Sequence, residues 1–199
     1  MFFRPGVTDH GLPHNPFMSL VVPRPIGWVS TLGPAGTVNV APYSFFNIVS
    51  VAPYYVMFSS AGHKHSLSNA RDRGEFVCNL AGYDLREAVN VTSTDVPAEI
   101  SEAELAGLAL EPSQTVAVPR VAAAKAHLEC RTWKLVDLPA GKRPELAYTI
   151  VIGEVTGIHV HDEVIRDGRV DLGAIRPIAR LGYDDYSVVD QIFSMPRPR

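Results

Sequence analysis

Hydrogen-bonding and aromatic side chains crowd together near the start of the chain, between residues 23 and 47. The group comprises Ser30, Thr31, Asn39, Ser44 and Asn47 beside Trp28, Tyr43, Phe45 and Phe46. Burying hydroxyls and amides next to rings costs free energy unless a partner satisfies them. A flat heteroaromatic ligand with a hydrogen-bonding edge is one such partner. An amphipathic hairpin with its hydroxyls in water is the alternative interpretation.

A second candidate site is the segment Ser59-Ser60-Ala61-Gly62-His63-Lys64-His65-Ser66. It joins a predicted strand to a predicted helix, and the free N–H groups and dipole of a helix N-terminus favour a phosphate. The serines Ser59, Ser60 and Ser66 add hydroxyls. Lys64 adds a positive charge. A solvated loop with a serine cap is the alternative.

Other catalytic patterns are absent from the sequence. It has no Gly-x-Gly-x-x-Gly fingerprint and no Gly-x-x-x-x-Gly-Lys-Ser/Thr loop, so neither a Rossmann fold nor a P-loop is expected. There is no nucleophile elbow. The pairs His63/His65 and His159/His161 each offer half of a metal site, but no third ligand has a fitting spacing, and we expect no metal. His127, on a predicted strand, is expected to be a hydrogen-bonded core histidine.

Composition bounds the class of protein. Of 199 residues, 46% are hydrophobic and 20% charged, which predicts a single domain (1–199) with an arm at 1–18 and a loose tail at 187–199. The net charge of −3 argues against a nucleic-acid surface, and no apolar run is long enough to cross a membrane. Cys78 and Cys130 are expected to be buried, reduced thiols. We expect a cytoplasmic protein that binds neither nucleic acid nor membrane.

The elements that position these side chains are mostly strands. The pattern predicts strands at 27–32, 37–45, 55–60, 76–80, 126–138 and 148–160, with bends at Gly153 and Gly157 and a hairpin turn at Asp167-Gly168. Short helices are predicted at 66–73, at 85–91 with Asp84 and Glu87 as a capping box, and at 101–107 with Ser101 and Glu104 as another. This order predicts a mainly β (α+β) fold in which a closed antiparallel barrel removes exposed sheet edges.

An ordered series of short motifs runs from about residue 23 to about residue 186. It comprises Pro23-Arg24-Pro25-Ile26-Gly27-Trp28-Val29-Ser30-Thr31, Asn39-Val40-Ala41-Pro42-Tyr43-Ser44-Phe45-Phe46-Asn47, Gly74-Glu75-Phe76-Val77-Cys78-Asn79-Leu80, Glu104-Leu105-Ala106-Gly107-Leu108, Pro119-Arg120-Val121, Leu128-Glu129-Cys130 and Asp167-Gly168-Arg169. In this order the motifs resemble the flavin reductase-like family, which has an FMN-binding split β-barrel. One departure is visible: many relatives have Gly-Gly after Arg-Leu, whereas Arg180-Leu181 is followed here by Gly182-Tyr183.

The resemblance implies a non-covalently bound FMN, with NAD(P)H as a transient substrate that passes hydride to the flavin, which then reduces an acceptor. The implied cofactor-binding residues are Trp28, Ser30, Thr31, Asn39, Ala41, Pro42, Tyr43, Ser44, Phe45, Asn47, Ser59, Ser60, Lys64, Ser66, Arg180 and Tyr183. No protein group is expected to be catalytic, because the cofactor carries the chemistry. We also expect a two-fold homodimer with flavin near the subunit interface, because a small barrel has few layers with which to bury a ring as large as isoalloxazine.

Alternatives remain open at this point. The protein could be an FMN-holding electron carrier that does not turn over NAD(P)H. It could also be a pyridoxamine-phosphate-oxidase-like barrel with another cofactor, although the pattern from Trp28 to Asn47 favours the flavin reductase branch. Arg180 and Tyr183 either lie near the flavin or belong to a surface loop with an Arg–Asp pair.

Overall fold

Strands dominate residues 1–198, the part of the chain that the computed structural model describes. They are β1 (Arg24–Pro25), β2 (Gly27–Leu32), β3 (Val38–Tyr43), β4 (Phe46–Val51), β5 (Tyr54–Ala61), β6 (Glu75–Leu80), β7 (Leu110–Glu111), β8 (Arg120–Val121), β9 (Ala126–Asp137), β10 (Tyr148–Val160), β11 (Ile165–Arg166), β12 (Arg169–Val170), β13 (Ile178–Arg180) and β14 (Tyr186–Val188). The α-helices are α1 (Phe17–Leu20), α2 (His65–Arg73), α3 (Arg86–Val91), α4 (Glu102–Leu105) and α5 (Leu172–Ile175). The predicted mainly β fold with a few short helices is confirmed. The predicted tail ends at Arg199, outside the described residues.

A seven-stranded antiparallel sheet forms the body, in the order β3-β2-β6-β9-β10-β5-β4. Its inner face is a buried cluster that includes Val29 of β2, Phe58 of β5, Phe76 of β6 and Val151 of β10. Strands near opposite ends of the order therefore contribute to one core. The sheet must curve strongly around that core to bring them together.

The predicted closure of the barrel is wrong. Strands β3 and β4 are the two edges of the sheet, and within residues 1–198 no hydrogen-bonded ladder joins them. The chain turns between them through Ser44 and Phe45, and the Phe45 carbonyl accepts from the Ser59 amide of β5 at 2.8 Å. Pro42 in β3 has no N–H to offer to a further strand, as is typical of an edge position. The barrel is therefore open on this side.

Both faces of β2 are buried, which explains its polar residues. The face opposite the inner core carries Trp28, which packs with Val40, Val89 and Val121 beneath α3 and β8. Partners from later in the chain hydrogen-bond the two hydroxyls of this strand. Ser30 donates to the Pro119 carbonyl at 2.8 Å, and Thr31 accepts from the Asn69 amide at 3.1 Å. The cost of burying these hydroxyls is met inside the protein.

The two predicted bends and the predicted hairpin are confirmed. The β9–β10 ladder changes register between Ile152 and Gly153, and again between Val155 and Gly157. A Cβ on Gly153 would lie 2.4 Å from the Phe76 ring, so glycine is required where the strand crosses the core. Strands β11 and β12 pair around Asp167-Gly168.

Neither predicted capping box forms. Asp84 lies within a short 3-10 turn at Tyr83–Leu85 that runs into α3, and no side chain caps either element. Ser101 stands at the N-cap of α4, but its hydroxyl donates to the Val38 carbonyl at 2.7 Å. The serine attaches α4 to β3, a tertiary contact that local sequence does not reveal.

The N-terminal arm is fastened to a small sheet of β1, β13 and β14. The Arg24 guanidinium donates to the carbonyls of Met18 and Val21 and, at 2.6 Å, to that of Leu181. Gly182 faces the arm so closely that a Cβ there would lie 1.8 Å from the Ser19 hydroxyl. Glycine at this position therefore allows the N-terminal arm to pack closely against the chain.

Cys78 and Cys130 are both buried free thiols that belong to the inner core. Burial is the main cause that raises the pKa of the Cys130 thiol, and the neighbouring Cys78 raises it further.

Within residues 1–198, every α-helix is too short or too polar to span a membrane.

Candidate functional site

A cleft of about 520 Å³ lies at the open side of the barrel. The end of β3, the β3–β4 turn, the end of β5 and the start of α2 form one side of it, and the segment after α3 forms the other. Its lining residues are Met18, Asn39, Ala41, Pro42, Tyr43, Ser44, Phe45, Ser59, Ser60, Ala61, His63, Lys64, His65, Ser66, Thr92, Ser93, Thr94, Asp95, Val96, Glu102 and Tyr148. This volume is typical of small-molecule sites, which span roughly 300–1,000 Å³.

The N-terminus of α2 opens into this cleft. Lys64 is its N-cap residue, in extended conformation, and no side chain caps the helix. The first amides of a helix have no partner inside it, and here those amides follow Lys64, at His65 and Ser66. The Lys64 ammonium forms an ion pair with Asp95, Nζ to Oδ1, at 2.5 Å. The cleft therefore has a positive end with unused donors.

The floor of the cleft is polar and connected. The Asn39 amide donates to the Ser66 hydroxyl at 2.8 Å, and the Tyr43 and Ser60 hydroxyls lie 3.5 Å apart. Burial raises the pKa of Tyr43, although hydrogen bonds from Ser60 and Ser66 oppose the rise. Tyr43 is therefore a neutral phenol that can donate or accept a hydrogen bond.

A buried carboxyl, Glu102 of α4, also reaches the cleft. It accepts from the Val40 amide at 3.1 Å, so it ties α4 to β3. Burial is the largest cause that raises its pKa, and the neighbouring charge of Asp95 acts in the same direction. The charge of His65 opposes this rise.

Aromatic rings also line the cleft. The Phe45 and Tyr148 rings lie 5.8 Å apart between centroids, and Tyr43 packs on Phe58 at 4.7 Å. Arg24 lies 5.9 Å from the Phe45 centroid and holds this side of the turn. The cleft therefore combines an apolar wall for a flat ring with a polar floor.

Most residues predicted from sequence meet in this cleft. The members of the predicted set that line it are Asn39, Ala41, Pro42, Tyr43, Ser44, Phe45, Ser59, Ser60, Lys64 and Ser66. The two segments singled out in the sequence thus form one site.

The remaining predicted residues lie elsewhere. Trp28, Ser30 and Thr31 are fully buried in the body of the protein, where their side chains are hydrogen-bonded by other residues of the chain. Trp28 does not line the cleft. Its indole N–H donates to Oγ1 of Thr92, a residue that does line the cleft, at 2.9 Å, and so supports that residue from behind. Asn47 is exposed on edge strand β4, where its side chain accepts from the Ile48 amide at 2.8 Å.

Arg180 and Tyr183 do not line the cleft of this chain. Arg180 donates to the Tyr186 hydroxyl at 2.7 Å and to Asp184 at 3.2 Å, and it also bonds the Tyr183 carbonyl. Tyr183 has a positive φ of 56° and packs edge-on against His14 of the arm. Of the two alternatives expected from the sequence, these contacts match the surface loop with an Arg–Asp pair.

Sequence reasoning missed the opposite lip of the cleft, Thr92 to Val96, as well as Glu102 and Tyr148. The run Thr92-Ser93-Thr94-Asp95, directly after the predicted helix 85–91, was the available signal, because such polar clusters mark loops that carry function. Nothing local marks Glu102, whose burial results from α4 packing on β3.

A second group of titratable side chains lies away from the cleft, on β9 and β10. The fully buried Glu129 accepts from the amides of Gln114 and Thr115, from the Thr115 hydroxyl at 2.6 Å, and from His159 Nε2 at 2.5 Å. Although burial alone would raise it, these bonds lower the pKa of Glu129 to about 2. Burial lowers the pKa of His127 to about 4. Within residues 1–198, no three His, Cys, Asp or Glu side chains group so that they could hold a metal ion.

The chain belongs to the flavin reductase-like family, whose members are flavin-binding oxidoreductases: the family model described as "Flavin reductase like domain" matches residues 18–180. An uncharacterized protein of Halalkalibacterium halodurans is 38% identical over 183 residues, which cover 89% of this chain and 87% of that protein.

Two solved structures show the same fold. Nitrilotriacetate monooxygenase component B from Bacillus cereus superposes with a TM-score of 0.90 at 28% identity, covering 98% of both chains. The 2-nitrobenzoate 2-nitroreductase NbaA of Pseudomonas fluorescens superposes with a TM-score of 0.82 at 31% identity, covering 92% of this chain and 88% of that one. The predicted resemblance is confirmed.

Proposed function

We propose that the cleft binds FMN and that the protein is an NAD(P)H-dependent flavin-type reductase. The observation that carries the proposal is the uncapped N-terminus of α2, which points its free amides and Lys64 into a cleft with a polar floor and an aromatic wall. A phosphate satisfies the amides and the charge together. An isoalloxazine ring suits the polar floor and the aromatic wall of the cleft, since it is flat and carries hydrogen-bonding atoms along one edge.

The residues present fit such a cofactor. Lys64 and Ser66, together with Ser59, would hold the phosphate, because they surround the start of α2. Asn39 and Ser44 would bond the polar edge of the ring or the ribityl chain. The backbone of Pro42 has only a carbonyl to offer, whereas that of Ala41 offers both an N–H and a carbonyl.

The aromatic side chains would orient the ring and exclude water. Tyr43 is buried and neutral, so its hydroxyl serves as a hydrogen-bond partner and not as a charge. Phe45 and Tyr148 supply an apolar wall on which a ring can stack. A bound flavin would supply the redox chemistry, by taking hydride from NAD(P)H and passing electrons to a small-molecule acceptor.

A homodimer forms part of the proposal. The edge strand β4 exposes Ile48, Val49 and Val51, and Tyr54 extends this apolar surface onto β5. An exposed apolar edge is a surface that a second chain can cover. A partner would also bring its Arg180 loop, which does not line the cleft of its own chain, to a neighbouring surface. We place the protein in the cytoplasm on composition alone.

Anaerobic absorbance spectroscopy tests the reductase. FMN-loaded protein is mixed with NADH and, separately, with NADPH, and bleaching of the flavin absorbance is expected with at least one of them. If dithionite bleaches the flavin but neither nucleotide does, the protein is the alternative, an FMN-holding electron carrier. If the protein takes up no FMN at all, the cleft has been misassigned.

A further inference from the structure

A second cavity, of about 380 Å³, lies on the other side of helix α3, between this helix and the β13–β14 hairpin. Its floor is apolar and comprises Val89, Ile178 and Val188. Tyr83 and Tyr186 stand at its sides, and Arg86 and Asn90 stand at the rim beside Glu87 and Asp184. None of these residues lines the flavin cleft, and the cavity is large enough for a small molecule.

Two arginines stack on the Tyr83 ring. The Arg86 guanidinium carbon lies 4.2 Å from the ring centroid, and that of Arg176 lies 4.4 Å from it. Arg86 also donates to the Tyr83 carbonyl at 3.1 Å. Stacking and hydrogen bonding together fix the plane of the Arg86 guanidinium, and a fixed guanidinium fork is suited to a planar carboxylate.

The backbone that delivers Arg176 is strained. Arg176 adopts the left-handed conformation, with φ 51° and ψ 60°, at the C-terminus of α5. Glycine is the usual residue in that position, because a Cβ is disfavoured there. The arginine carbonyl accepts from the Tyr83 amide at 2.9 Å, which locks the pair together. Strain of this kind collects at ligand sites.

Among the residues that line this cavity, Arg86 is the one arginine, and it stands beside the carboxylates of Glu87 and Asp184. Arg180 is paired with Asp184, and Arg86 has only a loose pair with the exposed Glu87, at 3.5 Å. Arg176 forms no ion pair anywhere in residues 1–198. Within the cavity lining, Arg86 therefore has one weak carboxylate partner, Glu87, which a ligand carboxylate can replace.

We propose that this cavity is a binding site for a monoanionic aromatic carboxylate, separate from the flavin cleft. The ring would lie on the apolar floor between Tyr83 and Tyr186, and the carboxylate would take the Arg86 fork in place of Glu87. A dianionic phosphate fits less well, because Glu87 and Asp184 at the rim repel a second negative charge. Helix α3 separates this ligand from the cleft, so the carboxylate is an accessory ligand and not the electron acceptor.

Isothermal titration calorimetry with 2-naphthoate tests the site. Protein saturated with FMN is used, so that the flavin cleft is blocked, and 2-naphthamide serves as the uncharged ligand of the same shape. We expect saturable binding of the carboxylate and much weaker binding of the amide. Arg86→Gln should weaken 2-naphthoate binding about tenfold or more, as the loss of a charge-assisted hydrogen bond implies. Arg71→Gln, an exposed arginine on α2, should leave it unchanged.

Two more variants keep the outcome decisive. Asn90→Trp places a large ring at the mouth of the cavity from an exposed position on α3, and it should abolish binding while the circular dichroism spectrum stays unchanged. Arg176→Asn keeps a residue that tolerates the left-handed conformation but removes the charge, and it should weaken binding severalfold. The proposal is overturned if 2-naphthoate fails to bind at millimolar concentration, or if Arg86→Gln and Asn90→Trp bind it normally. It is equally overturned if Lys64→Ala alone abolishes binding, since the ligand would then occupy the flavin cleft. None of these results depends on NAD(P)H turnover.

Discussion

The ammonium of Lys64 lies 2.5 Å from the carboxylate of Asp95 across the mouth of the cleft, and so joins the start of α2 to the lip that follows α3. Both side chains are substantially exposed, at 45% and 82% of their surface. An exposed ion pair is worth little, so it can be exchanged for a better anion. Asp95 therefore occupies the place at Lys64 that a ligand phosphate would take.

Lys64→Ala should weaken FMN binding by about ten- to a hundredfold, because a lost hydrogen bond to a charged group costs roughly 1.5–3 kcal/mol. Riboflavin has no phosphate and should bind the variant as it binds the natural protein. Flavin fluorescence titration measures both, and Lys142→Ala, in an exposed loop, is the matched control. An equal loss for riboflavin and FMN would show that the phosphate does not lie at this loop.

Asp95→Asn should tighten FMN binding by up to about fivefold, since it removes the internal competitor for Lys64 at the cost of a weak surface pair. The effect should vanish in high salt, which screens both interactions, and should be absent for riboflavin. The same titration tests it. Weaker FMN binding in this variant would mean that Asp95 holds Lys64 in the binding geometry instead of competing for it.

Trp28→Phe should destabilise the protein by about 1–3 kcal/mol, because the buried Thr92 hydroxyl loses its indole donor and a small void remains. It should also weaken FMN binding, since Thr92 lines the cleft. Chemical denaturation measures the stability, and Trp133→Phe, at a ring that is 59% exposed, should stay within about 0.5 kcal/mol. An unchanged FMN affinity would limit Trp28 to a structural role.

Acidification should destabilise the protein in two stages. Burial lowers the pKa of His127 to about 4 from an ordinary 6.5, so the unfolded chain binds a proton first, and stability falls as the pH drops through that window. The loss attributable to His127 is at most about 3 kcal/mol. The hydrogen-bonded Glu129, whose pKa is about 2, adds a further loss below pH 4.5.

Chemical denaturation at a series of pH values checks this. In His127→Gln, the free energy of unfolding should depend less on pH between 6.5 and 4, whereas the loss of stability that Glu129 causes at lower pH should remain. An unchanged slope in that variant would assign the first stage to another group.

The protein should be a homodimer whose dissociation is coupled to flavin loss, because a ligand that binds only the assembled site stabilises it. An obligate interface buries roughly 2,000 Å² or more in total. Light scattering over a range of concentrations, with and without FMN, measures this. Replacing the exposed Ile48 and Val51 of edge strand β4 with lysine should yield monomers. A natural monomer that keeps FMN at micromolar dilution would show that one chain completes the site.

Most secondary-structure elements and much of the site could be predicted from the amino-acid sequence. Period-two alternation and turn residues located the long strands, and the bends at Gly153 and Gly157 appear where expected. The loop before α2 was recognisable because phosphate binding needs a local arrangement of a helix start, small residues and a cation. Lys64 and Ser66 lie in that arrangement.

Long-range packing, which local sequence patterns do not reveal, covers particular faces of the strands. Alternation shows that Trp28 and Val29 point in opposite directions, but not that α3, α4 and β8, from much later in the chain, bury the outer face. For that reason Trp28, Ser30 and Thr31 were expected at the ligand and lie instead inside the body. Thr92 and Glu102 were missed for the same reason, since long-range packing alone brings them to the cleft. The open edge between β3 and β4 also follows from packing: local pattern predicts strands, whereas closure depends on how far the sheet curves around its core.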